Sequence, residues 1–108
     1  MENFEEIIKS KTPTLVDFYA TWCGPCKMMS PLLEQVSKDV GDSARILKID
    51  IDNNRNVATQ YGIRSVPTLI LFKEGKQVWR QSGVPPKNLI VESVNITKNI
   101  IYVNENSN

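Results

Sequence analysis

Residues 16–27 read VDFYATWCGPCK, and two hydrophobic patterns meet there. Leu15 to Ala20 is a near-continuous apolar run, as expected of a strand covered on both faces. Beyond Cys23 the period changes: Met29, Leu32, Leu33, Val36 and Val40 form the stripe of an amphipathic helix running to about Lys38, with Pro31 inside it. Cys23-Gly24-Pro25-Cys26 sits at the junction and contains the only two cysteines of the chain. Cysteines three residues apart across a first helical turn fall within the Cα separation that a disulfide accepts. A helix start leaves backbone N–H groups unpaired and favours negative charge, so a thiolate is stabilised there. Cys23, at the outer edge, is the expected nucleophile. Cys26, one turn in and deeper, is the expected resolving thiol. Pro25 suits the first turn because its missing N–H would have been unpaired anyway.

Other uses of a C-x-x-C pair fare worse. Structural zinc takes four ligands, and the chain has no further cysteine and no histidine. A static disulfide staple is little needed in a chain that can build its own core. A redox dithiol is the favoured reading, with no metal.

The chain has 108 residues, of which 41% are hydrophobic and 23% charged, which suits one folded domain over 1–108 with a polar tail from about 102. A net charge of +1 gives no footing for nucleic acid or an anionic membrane as partner. No apolar run approaches the roughly 20 residues of a membrane span. The acidic start MENFEEIIKSK lacks the pattern of a secretory signal, so the cytoplasm is the expected location.

Around the junction the remaining elements follow. Asn3 to Lys9 is a short helix with Asn3 as a possible cap, and Ala44 to Ile51 is a second buried strand. Asn53 to Tyr61 is a short helix ended by Gly62. Leu69 to Phe72 and Gln77 to Ser82 form a hairpin about Lys73-Glu74-Gly75-Lys76. A last helix opens at Pro85-Pro86 and places Ile90, Val94, Thr97 and Ile101 on one face. Alternating units give parallel strands, and the hairpin adds an antiparallel pair.

From Trp22 through Lys27 the sequence resembles the active site of the thioredoxin family, and the element order extends that resemblance over most of the chain. The resemblance implies an α/β thioredoxin fold, a central mixed sheet with helices on both faces. Members of the family usually begin with a further strand, which this chain starts too late to contain. Ile100-Ile101-Tyr102-Val103 has the composition of a strand that could cover the edge left bare. The implied activity is that of a protein-disulfide oxidoreductase that carries electrons through a redox-active Cys23–Cys26 disulfide and binds no other cofactor. A monomer would reduce disulfide-containing client proteins and be recycled by an NADPH-dependent thioredoxin reductase.

With no histidine present, Asp17 is the candidate proton acceptor for Cys26, since burial raises a carboxyl's pKa toward the working range. Lys48, the other charge inside an apolar strand, is its expected partner; the bland alternative is an ion pair that only fixes the strands. Val66-Pro67-Thr68 resembles the family's cis-proline loop, which would bring the Val66 backbone beside Cys23 to pair with a substrate strand. Trp22, Gly24, Pro25, Val66, Pro67 and Gly83 would form an apolar collar around the sulfur. Departures from the common family pattern are Tyr19, Ser65, Ser82 and Trp79. An oxidase or isomerase is disfavoured because Gly24-Pro25 replaces the histidine that such relatives carry. A binding module without turnover is the third alternative. Asn95-Ile96-Thr97 matches a glycosylation sequon by chance.

Overall fold

A computed structural model describes residues 3–102. The elements are α1 (Phe4–Ile8), β1 (Thr14–Tyr19), α2 (Gly24–Val40), a 3-10 turn (Gly41–Ser43), β2 (Arg45–Asp50), α3 (Arg55–Gln60), β3 (Thr68–Lys73), β4 (Lys76–Ser82) and α4 (Lys87–Thr97). They form a four-stranded sheet in the order β2-β1-β3-β4. β1 and β2 pair in parallel, with Asp17 opposite Lys48 and Tyr19 opposite Asp50. β3 runs antiparallel to both β1 and β4. The parallel rule therefore holds for one strand pair only, and the sheet is mixed.

Alternation along β1 and β3 splits the core into two layers. Leu15, Leu69 and Leu71 face α2 and α4, meeting Met29, Leu33, Val36, Val40, Ile90 and Val94. Val16, Phe18, Ile70 and Phe72 face the other way, toward Ile8 and the partly buried Phe4, Val57 and Tyr61 of the α1 and α3 side. A strand with helices on both faces has no solvent side, which is why β1 and β3 read as unbroken apolar runs. Asn3 caps α1 by accepting a hydrogen bond from the Glu6 N–H at 2.9 Å. The β3–β4 turn takes positive φ at both Glu74 (52°) and Gly75 (82°), so glycine supplies only half of it.

Three expectations about packing need correction. β2 is an edge strand whose residues are half-buried or exposed, and Lys48 is exposed. Ile46 packs on one layer of the core and Leu47 and Ile49 on the other, while the outer edge, among the described residues, meets no strand. Ile100 to Tyr102 do not cover that edge; Val103 lies outside the described residues, as does most of the polar tail. Instead they follow α4 to the far hairpin. There the buried Lys73 ammonium donates to the carbonyls of Thr97 (3.1 Å), Lys98 (3.2 Å) and Ile100, and Lys76 lies over the Tyr102 ring. α4 ends at Thr97, so Ile101 lies beyond its buried face and is 86% exposed.

Candidate active site

The parallel pairing of β1 with β2 brings their C-terminal ends side by side, and the segments that leave them meet there. After β1 the chain turns through Ala20–Trp22, with the Cys23 N–H bonded to the Ala20 carbonyl at 3.2 Å, and enters α2. Cys23 is the N-cap of α2: extended backbone (φ −92°, ψ 116°), with its sulfur accepting from the Cys26 N–H at 3.2 Å. Pro25 occupies the first turn, where a missing N–H removes nothing. Cys23 and Cys26 form a disulfide with a Cα–Cα distance of 5.4 Å. The depth difference expected between them is absent. Cys23 is 5% and Cys26 6% exposed, because Ala20, Tyr19, Ile51 and Val66 close around the bonded pair.

The loop before β3 forms the opposite wall. The Val66–Pro67 bond is cis, and the Val66 carbonyl oxygen lies 3.6 Å from Cys23 Sγ. Pro67 is buried, and its carbonyl accepts from the Gly83 N–H at 2.8 Å, which ties the loop to the end of β4. Gly83 has φ 84°, in the left-handed region where a side chain is strained. Thr68 Oγ donates to the Ser65 carbonyl at 2.7 Å and lies 3.4 Å from the Ser82 hydroxyl, so Ser82 takes part in holding the loop. Trp22, Gly24 and Pro25 are exposed beside the disulfide.

Asp52 and the cleft beside Trp22 were missed in the sequence. The Trp22 indole N–H donates to Asp52 Oδ2 at 2.9 Å, which holds a ring that is 69% exposed. A cleft of about 280 Å³ runs between Trp22, Ile51, Ile63, Arg64, Ser65 and Val66. Parallel pairing carried the signal: residues just past Asp50 must lie beside residues just past Tyr19.

Asp17, on the strand that leads into the disulfide, is fully buried. Among the described residues, no group hydrogen-bonds either carboxylate oxygen. Burial raises the Asp17 carboxyl from 3.8 to about 6, and the Lys48 charge pulls in the opposite direction without cancelling it. Lys48 is thus a neighbour of Asp17 in register but not its hydrogen-bonded partner. Its ammonium donates to Ser30 Oγ at 2.7 Å and sits 4.9 Å from the centre of the Tyr19 ring. No group of three or more acidic, cysteine or histidine side chains suited to a metal ion occurs among the described residues. Nor is any helix there long and apolar enough to cross a membrane.

A helix-capping cysteine disulfide-bonded to a second cysteine three residues on, at the edge of a mixed α/β sheet, defines a dithiol–disulfide oxidoreductase. Comparison with known proteins narrows the class. The thioredoxin family model matches residues 1–96. A thioredoxin of Rickettsia bellii is 46% identical over 91 residues, covering 84% of this chain and 87% of that protein. A thioredoxin of Chlorobaculum thiosulfatiphilum is 47% identical over 94 residues, covering 86% of this chain and 87% of that protein. Among solved structures, a mutant thioredoxin from Halobacterium salinarum superposes with a TM-score of 0.79 at 32% identity, over 94% of this chain and 91% of that one. Oxidised mitochondrial thioredoxin 3 from Saccharomyces cerevisiae gives 0.77 at 32% identity, over 86% of each chain. The chain belongs to the thioredoxin family, and Cys23–Cys26 is its redox-active pair.

Proposed function

We propose that this protein reduces disulfides of other proteins, with Cys23 as nucleophile, Cys26 as resolving thiol and Asp17 as proton acceptor. The observation that carries the reading is the 3.6 Å approach of Cys23 Sγ to the Val66 carbonyl, beside an open cleft. An extended client segment can lie along that backbone and bring its own disulfide in line with the sulfur.

In the dithiol state the Cys23 thiolate attacks one client sulfur. The client S–S bond breaks, and its other sulfur leaves as a thiolate and takes a proton from water. Cys26 then gives its proton to the Asp17 carboxylate and attacks Cys23 Sγ. That step breaks the mixed disulfide, forms the Cys23–Cys26 bond and releases the second client thiolate. Two electrons have passed to the client, and an external reductase must return two. Thioredoxin reductase, drawing on NADPH, is the reductase that family membership implies. Trp22, Gly24, Pro25, Val66, Pro67 and Gly83 supply the client surface, and the setting is the cytoplasm, with the protein as a monomer. Backbone recognition demands little of client sequence, so the substrates are accessible protein disulfides as a class.

Reduction of insulin disulfides with a regenerating reductant tests the reading. Cys23→Ser should abolish turnover, and Cys26→Ser should accumulate clients as stable mixed disulfides. A redox potential near about −270 mV fits a reductant, whereas one near about −180 mV would reassign the protein to disulfide isomerisation.

A further inference from the structure

Lys48 stands next to Asp17 on the neighbouring strand, and the two side chains share a face of the sheet. Adjacent strands lie about 4.8 Å apart, so a lysine stem has ample reach to set its ammonium on that carboxylate. It does not do so: among the described residues, no side chain or backbone group hydrogen-bonds either Asp17 oxygen. The ammonium is taken up by two other groups, the Ser30 hydroxyl at 2.7 Å and the face of the Tyr19 ring at 4.9 Å. Ser30 lies four residues beyond Cys26, hence one turn further along the same side of α2. Tyr19 lies two residues beyond Asp17, hence on the same side of β1.

We propose that Ser30, together with the Tyr19 ring, parks the Lys48 ammonium away from Asp17 and so acts as a positioning residue that keeps the buried acid unpaired. The proposal rests on the reading of Asp17 as proton acceptor for Cys26. Its physical basis is hydration. At Ser30 the lysine remains exposed and keeps much of its water. On the carboxylate it would be stripped of that water. A hydroxyl at the groove mouth supplies a neutral acceptor at no such cost.

β2 contributes Lys48 and β3 contributes Leu69, each in register with Asp17. α2 covers this face with Met29 and Leu33. Lys48 and Ser30 line a groove of about 330 Å³ with Leu33, Glu34, Ser37 and Ile46, and Glu34 is the other charge there. Lys48 is the charge that acts on Asp17, and where it rests decides how strongly.

The test follows the Asp17 carboxyl by carbon-13 NMR through a pH titration of the oxidised protein. The pH profile of insulin reduction is recorded in parallel, for the parent, Ser30→Ala and Ser30→Thr. In Ser30→Ala the ammonium is released onto the carboxylate, and the midpoint should fall by about one unit or more, as for an acid gaining a cationic partner. Ser30→Thr keeps a hydroxyl and should retain the parent midpoint. In a Lys48→Met background the Ser30→Ala change should have no further effect. An unmoved midpoint in Ser30→Ala, or a shift that persists without Lys48, overturns the proposal. A midpoint that moves while the rate profile stays put upholds the parking of Lys48 and removes Asp17 from the proton transfer instead.

Discussion

Among the described residues, two buried charged side chains sit in this sheet, and the protein treats them in opposite ways. Lys73, at the end of β3, has its ammonium in a cradle of three carbonyls from the end of α4 and the residues after it. Asp17, in the middle of β1, has two carboxylate oxygens with no hydrogen-bond partner among the described residues. The satisfied charge lies at the end of the sheet away from the disulfide, and the unsatisfied one lies in β1, two residues before the strand end that leads to it. A buried polar group costs little once its bonds are made and a good deal when they are not. Lys73 therefore acts as a clamp that belongs to stability. Asp17 is kept at a cost, which the proposed role as proton acceptor would explain.

Removing the clamp is the largest expected effect. Lys73→Met leaves three helix-end carbonyls without their donor and should destabilise the fold by about 3 kcal/mol, read by urea unfolding. A loss below about 1 kcal/mol would show that water replaces the ammonium easily, and the contrast with Asp17 would weaken.

Asp17→Asn should do the reverse. It abolishes an ionised group that burial disfavours, so the variant should be more stable than the parent at pH 8 by roughly 3 kcal/mol. Insulin reduction by the same variant should slow by about 100-fold, the range for losing a proton acceptor. Higher stability with unchanged turnover would leave Asp17 with no role in the chemistry.

The same contrast has a pH signature. The Asp17 carboxyl rises from 3.8 unfolded to about 6 folded. Between those values the folded protein binds the extra proton, so stability falls as pH rises through this window and levels off above it. Conventional salt-bridged carboxylates give the opposite slope. Unfolding free energies measured from about pH 4 to pH 7 should slope downward in the parent relative to Asp17→Asn, whose own contribution is flat. The smallest effect concerns independence. Asp17 pairs with Leu69, four residues along β3 from Lys73, about 13 Å at 3.3 Å per residue. The double variant should match the sum of the singles within about 0.5 kcal/mol.

Much of this was legible in the chain, for physical reasons. β1, α2 and the hairpin announce themselves because burial on two faces, on one stripe or around a turn leaves distinct periods at Leu15–Ala20, Met29–Val40 and Glu74-Gly75. Asp17 was visible because a carboxylate interrupts an apolar run. Lys48 was visible too, but its surroundings were misjudged: a strand's own residues do not say whether a neighbour covers its outer edge. Lys73 looked like an ordinary turn lysine, since its partners are backbone carbonyls and carry no residue signature. Ser30 and Asp52 act through single hydrogen bonds to side chains 18 and 30 positions away, which no local pattern encodes.

The capping role of Cys23 carries a thermodynamic consequence. The atom that exchanges electrons also accepts the Cys26 N–H and closes the first turn of α2. Its covalent state is therefore coupled to the folding equilibrium through a closed cycle. A substitution near the cap that favours the dithiol protein over the disulfide protein must make the pair a stronger oxidant by the same free energy. The melting temperatures of the two redox forms, compared variant by variant, should rank reducing power with no redox partner in the cuvette.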